Sequence, residues 1–259
     1  MNLSNGKTEI VRRHNKVVYQ DGNRLVKVYN DQKPGSDVFN EALNNARVIE
    51  AGGRVPRVLE VSQVKDGEWE GSWAIAFGYI PSRNLEQIVD EDEAHIGKYF
   101  EQFVRLQLDI QAADAPLLNR QKDKLRRMIN KVKLIDPSVR YDLQMRLDGL
   151  KGGGKVCHGD FVPSNVLIPN DGSDPYVCDW AHVTAGIPEV DAAQTYLLFK
   201  VEHPDSAERY LDVYSKMADM PKQIIMNWVP VVAAAELARG RKQREQFLLN
   251  QVEAVFDYH

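Results

Sequence analysis

The chain has 259 residues, of which 43% are hydrophobic and 27% charged, and its formal net charge is −4. This length allows one large domain or two lobes with a sizeable core, and the composition is ordinary for a globular protein. The acidic balance argues against a nucleic-acid-binding protein, which usually carries a basic face. No apolar run approaches the roughly 20 residues of a membrane span, and no signal-peptide core is seen. We therefore expect a cytoplasmic protein without a membrane partner.

Strand patterns dominate the first third of the chain. The predicted strands are residues 9–12, 17–20, 24–29, 55–61 and 73–77. Asp21 and Gly22 form a strong hairpin signal between the second and third of these strands. One helix is predicted to begin at Ser36 or Asp37 and to end at Gly52 and Gly53. Its predicted apolar stripe consists of Phe39, Ala42, Leu43, Ala46, Val48 and Ile49.

Helical patterns dominate after residues 77–81, which we interpret as a linker. The predicted helices are residues 96–112, 123–134, 138–150, 191–200, 207–217, 222–237 and 241–256, and a strand–loop–hairpin block interrupts them at residues 155–180. In the first helix, Tyr99, Phe103, Leu106 and Ile110 are predicted to share one face. The chain is therefore expected to be α+β. A small antiparallel-sheet lobe with one helix would occupy residues 1–81, and a larger, mainly helical lobe would occupy residues 82–259.

Two cysteines, Cys157 and Cys178, each precede a polar turn inside an apolar strand. A disulfide or a metal pair would be the functional interpretation. Two cysteines without neighbouring ligands make a poor metal site, and the cytosol keeps thiols reduced. We therefore interpret both residues as buried thiols that pack as small hydrophobic groups.

The most informative pattern lies in the hairpin block, where three polar residues are bracketed by apolar strands. Asn165 follows Asp160 by five residues, and Asp179 follows Asn165 by fourteen. The predicted turn at residues 170–174 would bring Asp179 beside Asn165. Metal-assisted phosphoryl transfer needs one carboxylate to orient the acceptor, and an amide and a second carboxylate to hold Mg²⁺. A single Asp or Asn more often caps a turn, but three in this register favour the functional interpretation.

Lys27 lies in the middle of a predicted strand between Val26 and Val28, where an unpaired charge would be costly. Glu41 follows fourteen residues later in the predicted helix and is its candidate partner. In kinases a strand lysine binds nucleotide phosphates and pairs with a helix glutamate. An exposed lysine and a surface glutamate are the alternative.

The segments HGDFVPSN and CDWAHVTAGIPEVD resemble the signature of the aminoglycoside phosphotransferase and choline kinase family, whose two-lobed fold is related to that of protein kinases. The resemblance implies that Asp160 orients the acceptor hydroxyl and that Asn165 and Asp179 bind Mg²⁺. It also implies that His158 has a structural role within the loop. Asp191 would brace the loop from the helix behind it.

The resemblance further implies a site for ATP or GTP in the small lobe. Lys27 would bind the phosphates with Glu41 as its partner, and main-chain groups of Gly78 and Ile80 would hold the base at the hinge. The turn expected over the phosphates, residues 12–16, contains no glycine. Phosphate contacts there would have to come from basic side chains rather than from closely approaching amides.

The expected function is ATP- and Mg²⁺-dependent phosphoryl transfer to a hydroxyl of a small molecule such as an aminoglycoside, a choline-like amino alcohol or a sugar. The short span from Asp179 to Asp191 leaves no room for a long activation segment, which argues against a protein substrate. An atypical small protein kinase and a non-catalytic nucleotide-binding module are the alternatives. We expect a monomer or a homodimer. A basic cluster of Arg239, Arg241, Lys242 and Arg244 is interpreted as a solvated face.

Overall fold

The computed structural model describes residues 1–253. The strands in chain order are β1 (Thr8–Arg13), β2 (Lys16–Asp21), β3 (Arg24–Tyr29), β4 (Val58–Gln63), β5 (Trp73–Gly78), β6 (Ser82–Asn84), β7 (Lys155–Cys157), β8 (Val166–Pro169), β9 (Tyr176–Val177) and β10 (Thr184–Gly186). The helices are α1 (Gly35–Glu50), α2 (Leu85–Glu91), α3 (Ile96–Ala112), α4 (Gln121–Lys131), α5 (Pro137–Gly149), α6 (Pro188–Glu202), α7 (Pro204–Met217), α8 (Lys222–Met226), α9 (Val229–Leu237) and α10 (Glu245–Glu253).

These elements form two compact units. The first unit contains Met1–Ile88 and Ser164–His182, and the second contains Val89–Pro163 and the chain from Val183 onward. The β8–β9 hairpin therefore belongs with the N-terminal strands, although its sequence interrupts that of the second unit. Within the described part of the chain, no helix combines the length and the apolar character that crossing a bilayer requires.

A five-stranded antiparallel sheet forms the centre of the first unit. Its strand order is β1-β2-β3-β5-β4, and the predicted hairpin between β2 and β3 turns at Gly22, which has a φ of 62°. Side chains alternate between the faces of a strand, so Val26 and Val28 pack in one core and leave Lys27 on the opposite face. Lys27 pairs there with Ile75 of β5, whose side chain packs with Val38 of α1. The strand alternation and the β3–β5 register together place Lys27 on the face of the sheet that packs against α1.

The predicted stripe of α1 is only partly confirmed, because Val48 is buried and Ala42 packs against the core but its other four residues are exposed. Its buried residues are Val38, Glu41, Asn44, Asn45 and Val48. Phe39 and Leu43 are 49% and 47% exposed. Apolar periodicity misplaced the buried face because this helix turns polar side chains toward Lys27. The predicted end is confirmed, since the Gly53 N–H donates to the Val48 carbonyl at 2.8 Å.

The β8–β9 hairpin forms a three-stranded sheet with β6, in the order β6-β8-β9. Val166 pairs with Val177 and Leu167 with Tyr176. This is the antiparallel hairpin that the sequence predicted.

Helices make up most of the second unit. α9 is buried along its whole length and packs against α4, α6 and α10. β7 pairs with β10, a three-residue strand that the sequence analysis missed. The predicted helix 222–237 is instead split into α8 and α9, because Pro230 in the first turn of α9 has no N–H to continue the earlier helix. The predicted helix 241–256 begins only at Glu245, and its last three residues lie outside the described part.

The predicted face of α3 is likewise only partly confirmed. Its bounds agree with the structure, but the buried residues are Phe100, Phe103, Val104, Gln107 and Gln111. Only Phe103 belongs to both sets. Because Gln107 and Gln111 are buried, the buried face of α3 lies at a different angle around the helix from the predicted apolar stripe.

Neither Cys157 nor Cys178 forms a disulfide, and Cys157 is buried and Cys178 partly so. Burial raises the pKa of Cys178 to about 11 and raises that of Cys157 well above its ordinary value. Thiols with raised pKa values are poor nucleophiles and metal ligands, so the structure agrees with a packing role.

Candidate active site

A cavity of about 350 Å³ lies within the first unit. Its apolar lining includes Ile10, Leu25, Pro56, Phe77, Ile80 and Leu167, and its polar lining includes Lys27, Glu41, Asn45 and Asp179. A largely apolar pocket of this size with a few convergent polar groups is typical of a small-molecule site. The cavity therefore has an apolar wall suited to a flat ring and a charged end suited to phosphate.

An ion-pair chain lies at the charged end. The Lys27 ammonium is 3.0 Å from Glu41 Oε1 and 3.2 Å from Asp179 Oδ1. The Tyr29 hydroxyl donates to Glu41 Oε2 at 2.8 Å and fixes that carboxylate. Burial opposes the charge on Lys27, but the carboxylates of Asp179 and Glu41 outweigh it and raise the pKa of Lys27 well above its ordinary value. Lys27 is therefore a permanent buried cation.

Lys16 adds a second cation to Asp179. Its ammonium is 3.1 Å from Asp179 Oδ2, and the two side chains are 16% and 22% exposed. Burial alone would raise the pKa of Asp179, but Lys27 and Lys16 together hold it well below its usual range. Asp179 is thus a carboxylate with one lysine on each oxygen.

Lys16 was not among the predicted site residues, although it ends the glycine-free turn that the sequence singled out. The pairing of β2 with β3 could have identified Lys16. Val18 pairs with Lys27 in the β2–β3 register. Residues two apart on a strand share a face, so Lys16 lies on the face of Lys27.

The hairpin places Asn165 and Asp179 together. The Cys178 N–H donates to the Asn165 carbonyl at 2.9 Å, directly beside Asp179. Asp179 has a φ of 65°, in the left-handed region that non-glycine residues rarely adopt. The next residue is anchored by a hydrogen bond from Trp180 Nε1 to the Val177 carbonyl at 2.8 Å. The neighbouring structure therefore holds Asp179, whose carboxylate lines the cavity, in an unusual backbone conformation.

The donor set fits a metal held together with phosphate rather than a metal held by protein alone. Among residues 1–253, no three or more His, Cys, Asp and Glu side chains group into a metal site. Asn165 and Asp179 offer one amide and one carboxylate. Mg²⁺ usually takes one or two such protein ligands and completes its shell with substrate phosphates and water.

Further polar and main-chain groups line the same cavity. Asn45 is 3% exposed and lines the cavity, and its Oδ1 accepts no hydrogen bond. A buried orphan acceptor is costly unless a ligand or water satisfies it. Gly78 and Ile80 both line the cavity. The Gly78 N–H already donates to the Arg57 carbonyl at 2.9 Å, so it is not available to a base.

The second unit contains Asp160 in a tightly held loop. His158 is fully buried, and its Nδ1 accepts a hydrogen bond from the Asp160 N–H at 3.2 Å. The His158 ring also meets Phe161 edge to face, with centroids 5.7 Å apart. Gly159, whose φ is 75°, donates its N–H to Asp191 Oδ1 at 2.8 Å. The loop is thus fixed from inside by a histidine and from α6 by a carboxylate.

A neutral network surrounds Asp191. Gln111 Nε2 donates to Asp191 Oδ2 at 2.9 Å, and Gln107 Nε2 lies 3.5 Å from the same oxygen. The Tyr210 and Tyr214 hydroxyls donate in turn to Gln107 at 2.8 Å and Gln111 at 2.7 Å. The sequence analysis missed these four residues. The sequence does contain a signal for them. The two glutamines on α3 are four residues apart, as are the two tyrosines on α7, so each pair lies on one face of its helix.

The predicted site residues are therefore divided between the units. Lys27, Glu41, Gly78, Ile80, Asn165 and Asp179 lie in the first, and His158, Asp160 and Asp191 lie in the second.

An antiparallel sheet with one long helix, a helical second unit, and an Asp loop and Asn/Asp hairpin define a kinase-type phosphotransferase. The model of the phosphotransferase enzyme family matches residues 13–223. The match covers most of the chain, so the protein belongs to this family. The resemblance drawn from the sequence, and the prediction of a phosphotransferase, are confirmed.

Solved structures show the same fold. A thermostable mutant of aminoglycoside phosphotransferase APH(4)-Ia, in ternary complex with ADP and hygromycin B, aligns with a TM-score of 0.69 at 12% identity, over 97% of this chain and 93% of that chain. Choline kinase LicA from Streptococcus pneumoniae aligns with a TM-score of 0.62 at 18% identity, over 99% and 93%. The GDP complex of wild-type aminoglycoside 2'-phosphotransferase-IIIa aligns with a TM-score of 0.61 at 14% identity, over 96% and 91%. These likenesses confirm the predicted fold class. The comparison with curated proteins gave no match.

Proposed function

We propose that the protein is an ATP- and Mg²⁺-dependent small-molecule kinase that transfers the γ-phosphoryl group to a hydroxyl. The observation that carries this proposal is the ion-pair chain of Glu41, Lys27 and Asp179 at the charged end of the cavity. A buried cation between two carboxylates, beside an Asn-bearing hairpin, is suited to holding nucleotide phosphates and their metal. The relatives solved with ADP, AMP and GDP support a nucleotide as the cavity's ligand.

Each predicted site residue of the first unit has a defined role in this proposal. Lys27 binds the α/β-phosphates and Glu41 keeps it in position. Asn165 and Asp179 would hold Mg²⁺, which would neutralise charge on the transferred group. The base lies on the apolar wall and meets main-chain groups at Gly78 and Ile80. Because the Gly78 N–H is already bonded, Ile80 is the better candidate for a donor to the base.

Asp160 orients the acceptor in the second unit. The hydroxyl oxygen forms a bond to the γ-phosphorus as the bond to the ADP oxygen breaks, and the hydroxyl proton passes to the Asp160 carboxylate. The products are a phosphate ester and ADP. His158 and Asp191 hold the Asp160 backbone in place, so their contribution is positioning. This activity needs cellular ATP, which is consistent with the expected cytoplasmic location.

One observation favours a second candidate, a non-catalytic nucleotide-binding module. Lys16 lies against the Asp179 oxygen that a metal would need. If Lys16 stayed there permanently, nucleotide would bind without Mg²⁺ and no transfer would follow. An ADP-release assay over a panel of hydroxyl compounds separates the two candidates.

Replacing Asp160 tests the proposed chemistry directly. We expect Asp160→Asn to lower kcat by at least about a hundredfold, as for loss of a positioned acid–base group, while ATP affinity stays unchanged. The matched control is Asp142→Asn, which alters an exposed carboxylate on α5. Equal turnover in Asp160→Asn and the parent would exclude the role of Asp160, and ATP binding without transfer to any acceptor would favour the non-catalytic module.

A further inference from the structure

Lys16 ends the turn between β1 and β2, where the sequence has no glycine. Its backbone is fixed by two neighbours, because Lys16 pairs with Arg13 across the turn and with Tyr29 of β3. The main chain of the turn is also tied to the end of β3, since the Asn30 N–H donates to the Asn15 carbonyl at 3.1 Å. Lys16 can therefore change its partner only by moving its side chain, which is long and flexible.

The two lysines on Asp179 are held to different degrees. Lys27 has a second carboxylate, Glu41, at 3.0 Å, and its ammonium lies 5.4 Å from the centre of the Phe77 ring. Within the described part of the chain, Lys16 forms an ion pair with Asp179 alone. The Lys16 side chain is also 16% exposed, against 8% for Lys27. Lys16 is therefore the lysine that leaves Asp179 at the lower cost.

Both carboxylate oxygens of Asp179 face a lysine. Lys27 lies 3.2 Å from Oδ1, and Lys16 lies 3.1 Å from Oδ2. In the proposed function this carboxylate would be a ligand of Mg²⁺, and a metal ion repels an ammonium on the same oxygen. One lysine has to give way, and Lys16 is the more weakly held of the two.

A displaced Lys16 needs another anion close by. The turn supplies none, because residues 12–16 are three basic residues, one histidine at position 14 and one asparagine at position 15, counting Lys16 itself. The neighbouring Arg12 is already paired with Glu9 at 2.6 Å and with Glu68 at 3.3 Å. The negative charge that would arrive together with the metal is that of the nucleotide phosphates. A phosphate is therefore the partner that Lys16 would meet on leaving Asp179.

The order of the charged groups indicates which phosphate this is. Asp179 lies between Lys27, the proposed partner of the α/β-phosphates, and Lys16. In phosphoryl transfer the metal bridges oxygens of the β- and γ-phosphates. A lysine on the other side of the metal ligand from Lys27 is therefore on the side of the γ-phosphate.

We propose that Lys16 exchanges partners: it gives up Asp179 Oδ2 to Mg²⁺ and binds the γ-phosphoryl group of ATP instead. This inference rests on the proposed function, because it takes the cavity as a site for ATP and Mg²⁺. It gives a side chain the contact that closely approaching amides of a glycine-rich loop would otherwise make. ADP has no γ-phosphoryl group, so Lys16 stays beside Asp179 in the ADP complex.

Calorimetric titration of ADP and AMP-PNP onto the full chain tests the exchange. The quantity compared is the Kd for ADP divided by the Kd for AMP-PNP. With Mg²⁺ we expect Lys16→Met to lower this ratio about tenfold, the scale of one charge-assisted hydrogen bond to a phosphate. Without Mg²⁺ the parental Lys16 remains on Asp179, so we expect the same substitution to change the ratio by less than about threefold.

Arg13→Met is the matched control, because it removes an exposed cation that pairs with Lys16 across the same turn. We expect it to change the ratio by less than about twofold, since an exposed charge is screened by salt. Thermal melts check that both variants fold. Lys16→Gln, a second neutral substitution, replaces Lys16→Met in the titrations if that variant is unstable.

The outcomes separate this inference from the proposed function. A parental ratio in the Lys16 variant, an equal loss with and without Mg²⁺, or the same loss in Arg13→Met overturns the exchange. The kinase stands in each of these cases if ADP is released with a hydroxyl acceptor. Absence of transfer to every acceptor overturns the kinase, and the titrations still decide the role of Lys16, because AMP-PNP binding needs no transfer. A parent that binds neither nucleotide overturns both.

Discussion

Two aspartates, a half-buried one and a fully buried one, are stabilised in opposite ways. Asp179 in the first unit is held by the cations Lys27 and Lys16, whereas Asp191 in the second is held by amide N–H groups from Gly159 and two glutamines. A cation on a carboxylate can be exchanged for a metal ion without losing charge balance. A set of neutral donors fixed by tyrosines cannot be exchanged in this way. Asp179 can therefore exchange a lysine for a metal ion, whereas Asp191 keeps its hydrogen-bond donors.

The largest expected effect comes from removing the exchangeable carboxylate. We expect Asp179→Ala to lower kcat/KM by at least about a thousandfold, because Lys27 would keep only Glu41 and Mg²⁺ would lose its carboxylate ligand. Calorimetry should show that Mg²⁺ no longer strengthens nucleotide binding.

The control for this variant is Asp174→Ala, which removes an 88%-exposed carboxylate from the same hairpin. If Mg²⁺ still tightened nucleotide binding by the parental factor in Asp179→Ala, the metal would not bind Asp179.

Removing the Asp191 carboxylate should mainly lower the stability of the protein. We expect Asp191→Ala to lower the free energy of unfolding by about 2–4 kcal/mol, because the Gly159 N–H and the amides of Gln107 and Gln111 lose a buried acceptor. Urea denaturation measures this change.

Gln111→Leu sharpens the same prediction. It removes one donor and leaves the Tyr214 hydroxyl without its acceptor, so we expect a smaller loss of about 1–2 kcal/mol. The exposed Asp142→Ala should be neutral. A parental urea midpoint for Asp191→Ala would show that the network adds nothing to stability.

The smallest expected effect concerns the second cation on Asp179. Lys16 must leave Asp179 Oδ2 before a metal can bind there, so we expect Lys16→Met to strengthen Mg²⁺ binding in the nucleotide complex by about threefold. The effect is small because the pair is partly solvated. A Mg²⁺ titration at saturating ADP measures it.

Arg13→Met is the matched control, because Arg13 is an exposed cation in the same turn. Weaker Mg²⁺ binding in Lys16→Met than in this control would mean that Lys16 supports the metal complex instead of competing with it.

The sequence by itself determined the candidate site residues and the local elements around them. The spacing of Asp160, Asn165 and Asp179 and the turn between β8 and β9 are local, so the hairpin was predictable. The alternation of Val26, Lys27 and Val28 was enough to place the lysine on the face opposite the one on which the two valines pack. The bounds of α3 also follow from local periodicity.

Only the tertiary structure decided which polar groups are buried and what compensates them. The faces of α1 and α3 were only partly predicted, because apolar periodicity takes no account of Glu41, Gln107 and Gln111. The partners that make their burial tolerable are Lys27 on a neighbouring strand, and Asp191 and two tyrosines on α6 and α7. A polar side chain is buried where a distant partner satisfies it, and that partner is brought near only by the fold.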